Sequence, residues 1–393
     1  MNNIITYIDD YGEKSFDDFP FNEVDSLVLC QLSYLNYGGF VNGFGSACSL
    51  VKIKDIYNKP NTDDLYKDYW YKSENKELFS KAAESKRFGD MRLCYYVDIY
   101  NEEYDAQFSA ITYILGDKSV YLAFRGTDAT IIGWKEDFKL AYKEAVRAQE
   151  LSVDYMKNVV ENMSGNFRTG GHSKGGNLAV YAAMNCPSSI QTRIIDIFDH
   201  DGPGFRPEIL KESRYGAIKN KIHKYVPKAS IVGGIFADEI AYEIVECWSI
   251  GALQHNSYVW KSEKGRFIRL EDNSELKKVH DKAMNDWLYS LSDDEISTLV
   301  DAIFEVVTAA SAKDLFDLIE NPKSTVIAAF NKYKELDQKT KDMIVSLLKR
   351  FKNIVGETAY DEFVLKTQEL KEEMKAWQED ASLFMSKMKI KKK

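Results

Sequence analysis

The stretch Asn166-Phe167-Arg168-Thr169-Gly170-Gly171-His172-Ser173-Lys174-Gly175-Gly176 places a Gly-x-Ser-x-Gly motif between two predicted elements. Residues 166–169 predict a short strand, and residues 176–184 predict an apolar helix that ends before Pro187. A serine in such a turn has a strained backbone, and only small neighbours at two-residue spacing leave room for it. The stretch therefore predicts that Ser173 is a nucleophile at the end of a strand.

A second motif lies upstream, where the apolar run 120–124 stops at Arg125-Gly126-Thr127. This run predicts a buried strand followed by an abrupt turn. Acyl transfer to a serine requires two preorganised hydrogen-bond donors for the developing oxyanion. The backbone N–H of Lys174, directly after the nucleophile, is one candidate, and Thr127 is the other, through its backbone or its hydroxyl. The alternative is an ordinary strand and turn in which Thr127 only caps the turn.

A nucleophilic serine needs a base at neutral pH, usually a histidine held by a carboxylate. His255 lies in a loop of small residues just after the last predicted strand, and we therefore predict that it is the base. The alternative is a surface or hydrogen-bonded loop histidine. His172 is expected to point away from the nucleophile into the packing. The other histidines fit the role less well by position: His200, His223 and His280.

The carboxylate partner of the base is predicted to be Asp201, which ends the strand after the serine helix. The following Gly202-Pro203-Gly204 predicts a sharp turn that can direct this side chain inward. Asp199 and Asp238 are the rival candidates. The alternative role of Asp201 is to cap the turn.

These motifs together resemble the class 3 lipases of the α/β-hydrolase superfamily. The wider pattern is closer still to a bacterial family of lipase-like proteins of unassigned function, and it covers residues 1 to about 260. The resemblance implies an α/β-hydrolase fold and a Ser-His-Asp triad that cleaves carboxylic esters, but no particular substrate. The residues that carry it are Phe21–Leu29, Phe124–Thr127, Trp134, Asp137-Phe138, Gly171–Gly176 and Asp201–Phe205.

The chain departs from the class 3 lipases at two positions. These lipases carry an aspartate shortly before a Val-Pro pair, whereas Val226-Pro227 follows Lys224-Tyr225 here, so the usual position of the acid is vacant. Some hydrolases of this fold take the acid from the earlier strand, where Asp201 lies. Lys174 replaces the apolar residue that commonly follows the serine, which predicts a polar or anionic head group near the site.

Composition restricts the class of protein. The chain has 393 residues, 45% hydrophobic content and a net charge of −9, which allows a large core and argues against nucleic acid or an anionic membrane as partner. The N-terminus lacks a secretory pattern, and the longest apolar run, 178–184, is too short to span a bilayer. Five scattered cysteines predict free thiols in the cytoplasm. No pattern indicates a metal or another cofactor.

The hydrophobic pattern predicts two regions. Residues 1–275 alternate strands and helices, which predicts an α/β-hydrolase domain with a mostly parallel sheet. Residues 276–393 predict a helical region that contains no candidate catalytic residue. The predicted helices of the first region lie near 20–37 and 139–163; its predicted strands are 93–99, 107–115, 120–124, 166–169, 193–198, 221–226 and 241–250.

The helical region begins with a recognisable start signal. Ser292-Asp293-Asp294-Glu295 is a capping box, with apolar residues at helical spacing behind it. Further helices are predicted at about 312–320, 324–336, 338–355 and 358–388. The last carries a coiled-coil-like seam that packs within its own domain or, alternatively, mediates self-association or binds a protein partner; its residues include Leu370, Met374, Trp377 and Phe384.

Two functions follow from these observations. The first is a cytoplasmic serine esterase acting on a small-molecule or lipid ester, with Ser173, His255 and Asp201 as the triad and Lys174 with Thr127 as the oxyanion hole. The second is a catalytically weak or inactive protein that keeps the hydrolase fold and binds a partner through its C-terminal helices. The sequence leaves the acyl length, and the choice between hydrolysis and acyl transfer, open.

Overall fold

A computed structural model describes residues 2–44, 50–66, 71–101, 106–127, 145–211, 213–228, 230, 232–237, 240–249, 251–270, 274–309 and parts of 331–346. The chain divides into two compact units, Met1–Lys282 and Ala283–Lys393. Several residues used in the sequence predictions lie outside the described residues: Cys48, Trp134, Asp137, Phe138, Asp238, Leu370, Met374, Trp377 and Phe384.

The described strands of the first unit form one eight-stranded sheet whose spatial order follows the chain. Strands β1 to β4 pair antiparallel, and strands β4 to β8 pair parallel. A separate hairpin joins β9 and β10. The strands are β1 Val51–Lys52, β2 Arg92–Asn101, β3 Ala106–Ile114, β4 Val120–Phe124, β5 Phe167–His172, β6 Ile194–His200, β7 Ile222–Pro227, β8 Glu243–Val245, β9 Ser262–Glu263 and β10 Arg266–Phe267.

The helices of the described residues are α1 Ile4–Tyr11, α2 Glu23–Leu32, α3 Ile53–Tyr57, α4 Lys72–Glu84, α5 Arg147–Asn162, α6 Lys174–Asn185, α7 Ser188–Gln191, α8 Pro207–Leu210, α9 Ser213–Gly216, α10 Ser274–Tyr289 and α11 Asp293–Ala309. Short 3₁₀ turns lie at Thr62–Tyr66, Lys219–Lys221, Val232–Gly234, Gly251–His255 and Ser257–Val259.

Helices cover both faces of the sheet. Helices α5 and α6 pack on one face with alternate β4 residues such as Leu122 and Phe124. Helices α1, α2 and α4 pack on the other face with Tyr121 and Ala123. Every residue of β4 is therefore buried, as in a strand enclosed on both sides. The first unit thus has an α/β fold, as the sequence predicts.

Most predicted elements of this unit lie where the hydrophobic pattern places them, with one clear error. The last strand, predicted over 241–250, is only Glu243–Val245. Beyond it the backbone leaves β7 and pairs with residues 259–269 instead: Glu246 N–H donates to the Ile268 carbonyl at 2.8 Å, and Trp248 N–H to the Val259 carbonyl at 2.9 Å. Of the predicted helix 139–163, the described part is α5. Helix α1 and strand β1 were not predicted.

Helix α11 of the second unit begins as its capping box predicts. Ser292 N–H donates to Glu295 Oε2 at 2.8 Å, and Glu295 N–H donates to Ser292 Oγ at 3.3 Å. Two donors at the helix start are thereby satisfied reciprocally. The other helices expected in this region, and their role, remain predictions.

Backbone-to-backbone packing joins the start of α6 to β4 and β5. A Cβ atom added to Gly171 would lie 2.1 Å from the carbonyl carbon of Gly175, and one added to Gly175 would lie 2.1 Å from the carbonyl oxygen of Phe124. Real Cβ atoms do not approach backbone atoms so closely. Glycine at both positions is therefore a requirement of this strand–turn–helix, not only of the turn itself.

We expect Gly175→Ala to lower the free energy of unfolding by roughly 1–3 kcal/mol, the usual cost of overpacking. Urea denaturation of the full chain measures it. Gly216→Ala is the control, because a Cβ there meets nothing within 4 Å. An equal effect of both substitutions would show that this strand–turn–helix tolerates a side chain at Gly175, and would contradict the requirement for glycine there.

Candidate active site

Ser173 lies between β5 and α6 with a strained backbone, at φ 59° and ψ −133°. Such a conformation costs a non-glycine residue about 1–3 kcal/mol and persists only where the surroundings enforce it. Here the Ser173 N–H donates to the His200 carbonyl at 2.9 Å. The residue is 8% exposed, so little of it reaches the surface.

The turn after β4 lies against Ser173. A Cβ atom on Gly126 would lie 3.1 Å from Ser173 Cβ, and Thr127, the next residue, is buried. Lys174 is the first residue of α6. Its backbone N–H is therefore one of the N–H groups that point outward from the N-terminal end of the helix. The two backbones proposed as oxyanion donors thus flank the same serine.

The Lys174 side chain turns away from this turn. Its ammonium donates to the Gln107 carbonyl at 2.9 Å and to Gln107 Oε1 at 3.4 Å, and the residue is 1% exposed. The prediction that Lys174 faces a polar or anionic head group is therefore wrong in this structure. The ammonium instead ties the start of α6 to strand β3.

Asp201 and His255 form a short hydrogen bond. His255 Nδ1 lies 2.6 Å from Asp201 Oδ2, and both side chains are nearly enclosed. The Asp201 carboxylate also accepts from Ser230 Oγ at 2.6 Å and from the Gly233 N–H at 3.1 Å. Three donors converge on one carboxylate, which orients it firmly.

Asp201 lies beside the Ser173 turn. It follows β6, the neighbour of β5, and has a positive φ of 59°. On its N-terminal side the His200 carbonyl accepts from Ser173 N–H, and on its other side a Cβ on Gly202 would lie 2.7 Å from the Ser173 carbonyl oxygen. The structure therefore brings the predicted acid and the predicted nucleophile to the same edge of the sheet.

The rival acid Asp199 has a different partner. Its Oδ2 lies 2.7 Å from Lys224 Nζ, and both side chains are almost fully buried. Asp199 Oδ1 also accepts from Gly202 N–H at 2.8 Å, and the Lys224 ammonium donates to the Gly202 carbonyl. This ion pair holds the turn that carries Asp201. Lys224 precedes Val226-Pro227, where the class 3 lipases carry an aspartate. Here this lysine supplies the counter-ion of Asp199.

Burial raises the pKa of the Asp199 carboxyl, and the Lys224 ammonium opposes that shift. The contacts of Asp199 include none with His255 among the described residues, whereas Asp201 bonds directly to that ring. The remaining rival, Asp238, lies outside the described residues.

The other histidines have separate contacts. His172 is buried, as expected, and its Nε2 lies 2.8 Å from the His255 carbonyl. His200 bonds to Ser26 Oγ at 2.8 Å, and burial lowers its pKa to about 3. His223 Nε2 pairs with Asp196 Oδ1 at 3.0 Å. Nothing in the described geometry gives these rings access to Ser173 Oγ.

No hydrogen bond joins Ser173 Oγ to His255 among the contacts of the described residues. Contacts between nucleophile and base are often long in unliganded enzymes and tighten when substrate binds. Three residues that contact the site were not predicted: Ser230 and Gly233, which donate to Asp201, and Tyr34, whose hydroxyl lies 3.1 Å from His172 Nδ1. Only Gly233-Gly234 carried a local turn signal, because the other two meet the site through tertiary packing.

We expect Lys224→Met to lower the free energy of unfolding by about 3–5 kcal/mol, because it leaves the buried Asp199 carboxylate without its counter-ion. Folding raises the pKa of the Asp199 carboxyl, so its burial costs stability once the pH exceeds the pKa that it has in the unfolded chain. The loss should therefore be small in acid, grow as the pH rises above this unfolded pKa, and level off above the folded pKa. Denaturant unfolding at several pH values measures this.

Lys261→Met is the control for this substitution. Lys261 Nζ pairs with Glu246 at 2.5 Å, but the two side chains are 17% and 34% exposed. A pair open to solvent contributes no more than about 1 kcal/mol. If Lys224→Met unfolds no more readily than Lys261→Met, the Asp199–Lys224 pair does not hold the turn.

Two other features are absent from the described part of the chain. That part of the chain contains no cluster of three or more His, Cys, Asp or Glu side chains arranged to hold a metal ion. It also contains no helix both long and apolar enough to cross a membrane.

Comparison with known proteins identifies the family. No curated protein matches the chain significantly. Among solved structures, the crystal structure of M37 lipase is similar at 14% identity, covering 68% of this chain and 80% of that chain. Its TM-score of 0.35 is too low to support an argument. The Mbeg1-like family profile matches residues 82–305, more than half of the chain. The protein therefore belongs to the Mbeg1-like family, a lipase-like family.

Proposed function

We propose that this protein is a serine hydrolase that cleaves carboxylic esters, with lipid-like esters as the substrate class. The observation that carries the proposal is the strained Ser173 beside the hydrogen-bonded pair of Asp201 and His255. The lipase-like character of the family supports the same reaction class. In this proposal Ser173 is the nucleophile, His255 the base and Asp201 the acid.

The tautomer of His255 follows from its partner. A carboxylate accepts hydrogen bonds, so His255 Nδ1 carries the proton in the bond to Asp201 and Nε2 keeps its lone pair. In the first step Ser173 Oγ attacks the ester carbonyl and its proton passes to His255 Nε2. Asp201 stabilises the resulting imidazolium.

The remaining steps use the same groups. Negative charge develops on the carbonyl oxygen of the tetrahedral intermediate, and the backbone N–H groups of Lys174 and Thr127 are proposed to donate to it. The intermediate collapses, and the alcohol leaves with the proton from His255 Nε2. Water then attacks the acyl-enzyme, giving its proton to His255, and Ser173 Oγ recovers a proton as the carboxylic acid departs.

The surroundings of the site fit a neutral ester. The Lys174 ammonium is bound to Gln107, so it is not directed to anchor an anionic group beside Ser173. The four described cysteines, Cys30, Cys94, Cys186 and Cys247, are free thiols, which fits the proposed cytoplasmic setting.

One observation is compatible with a second function. Ser173 Oγ and His255 are not hydrogen-bonded among the described contacts, a geometry shared by unliganded hydrolases and by a hydrolase fold kept only for binding a partner. A measurement of serine reactivity separates the two functions, because a scaffold needs no activated serine.

We expect wild-type protein to react with a fluorophosphonate probe and to hydrolyse p-nitrophenyl butyrate. Ser173→Ala should abolish labelling and lower kcat by at least about 10⁴-fold, since it removes the nucleophile. Thermal unfolding of the variant should stay close to wild type. Labelling that persists at another serine, or wild-type protein that does not react at all, would favour the scaffold function.

Asp201→Asn should lower kcat by roughly 10³–10⁴-fold, because an amide cannot stabilise the imidazolium and favours the wrong tautomer of His255. Asp196→Asn, in strand β6, which Asp201 directly follows, is the matched control. Asp196 pairs with Arg168 at 3.1 Å and with His223, away from Ser173. Steady-state kinetics on both variants tests the assignment; similar kcat values for the two would remove Asp201 from the triad.

A further inference from the structure

His172 is the residue before the proposed nucleophile, and its side chain has two specific polar contacts. Its Nε2 lies 2.8 Å from the His255 carbonyl oxygen, and its Nδ1 lies 3.1 Å from the Tyr34 hydroxyl. The residue is 6% exposed. The ring therefore spans from the end of β5 to the loop that carries the proposed base.

These partners determine the protonation of the ring. A carbonyl oxygen can only accept, so Nε2 carries the proton and donates to His255. Nδ1 then has a free lone pair and accepts from the Tyr34 O–H. Burial, followed by the neighbouring His255, lowers the pKa of His172 well below its ordinary value of 6.5, so the ring stays neutral. The His255 carbonyl thus selects the tautomer, and the Tyr34 hydroxyl satisfies the remaining lone pair on Nδ1.

The loop of His255 needs such a tether. The last parallel strand ends at Val245, and His255 lies in the 3₁₀ turn Gly251–His255, beyond the sheet. The turn is also held by Trp260 Nε1, which donates to the Gln254 carbonyl at 2.9 Å. The bond from His172 connects the His255 backbone directly to strand β5, which Ser173 follows.

Ring packing adds to this connection. The His172 and His255 rings lie 4.7 Å apart at 32°, and Trp260 packs edge-on against His172 at 6.2 Å. The His255 side chain is thus held at its Nδ1 by Asp201, while its backbone is held by His172. Two fixed points leave the His255 ring little freedom to rotate.

We propose that His172 is a positioning residue, whose Nε2–H bond to the His255 carbonyl, oriented by Tyr34, holds the base in line with Ser173. The proposal rests on the proposed ester hydrolysis. His172 touches neither substrate nor the reacting atoms, and it acts through the backbone of His255. A displacement of a catalytic group by about 1 Å can cost 10²-fold in rate, so this bond matters to catalysis.

Two amide substitutions separate the two contacts of the ring. The amide nitrogen of glutamine reaches the place of Nε2, so His172→Gln keeps a donor for His255. The shorter asparagine reaches only the place of Nδ1, so His172→Asn keeps a polar partner for Tyr34 but loses the bond to His255. Both variants bury one amide group, so we expect the two substitutions to lower the free energy of unfolding by similar amounts.

We expect His172→Asn to lower kcat for p-nitrophenyl butyrate by about 10- to 100-fold with KM within about twofold, because the base is displaced and binding is not. His172→Gln should stay within about threefold of wild type. Tyr34→Phe should lower kcat by a few-fold, since the buried His172 Nδ1 loses its hydrogen-bond donor and the ring is held less firmly. Kinetics and thermal unfolding are measured on the full chain.

A spectroscopic readout makes the test independent of catalysis. The His255 Nδ1 proton bonded to Asp201 should give a low-field proton resonance that is present in wild type and His172→Gln and broadened or shifted in His172→Asn. Equal kcat and equal resonances in the two His172 variants would overturn the proposal. So would a kcat loss in both that follows only their thermal stability.

Failure of the proposed function has a different signature. If wild-type protein neither reacts with the fluorophosphonate nor hydrolyses the ester, the esterase assignment fails, while the low-field resonance still reports whether His172 positions His255. Val28→Ala, a core substitution in α2, is the stability control. It should lower thermal stability and leave the His255 resonance in place; loss of the resonance there would assign the signal to general packing and overturn the proposal.

Discussion

The close approach of α6 to strands β4 and β5 is the constraint on which the site depends. Gly171 and Gly175 let the helix start against the backbone of Phe124, with no space for a Cβ atom. This packing enforces the strained backbone of Ser173, which no local preference would select. It also brings the turn at Gly126 against Ser173. One steric requirement therefore constrains the proposed nucleophile and the turn that leads to Thr127, a proposed oxyanion donor.

Two neighbouring aspartates of one strand end have different environments. Asp199 points to Lys224 and is satisfied by a buried cation, so its charge stabilises the turn. Asp201, two residues on, accepts from His255, Ser230 and Gly233. Residues two apart on a strand share a face, so a regular strand would direct both aspartates to the same side. The positive φ of Asp201 ends this regular pattern and redirects its carboxylate. The division of roles follows from this change of backbone direction.

The proposed base depends on packing more than the other two residues do. Ser173 and Asp201 directly follow parallel strands, whose ends are aligned by sheet hydrogen bonds. His255 lies in a loop beyond a short last strand, and its position comes from Asp201, His172 and Trp260. In the proposed triad, the sheet positions Ser173 and Asp201, whereas side-chain contacts position His255. His172, directly before the proposed nucleophile, connects the His255 backbone to strand β5.

The sequence by itself determined the α/β alternation, the strand–turn–helix around Ser173 and the start of α11, because hydrophobic periodicity, glycine spacing and capping act over a few residues. It also indicated His255 and Asp201 by their order along the chain. Only the tertiary structure decided that Asp201 meets His255 while Asp199 meets Lys224, and that the Lys174 ammonium binds Gln107. It likewise shortened the last strand, whose continuation pairs with residues 259–269. The physical reason is that a buried polar group binds whichever partner the fold brings within reach, and partners distant in sequence leave no local pattern.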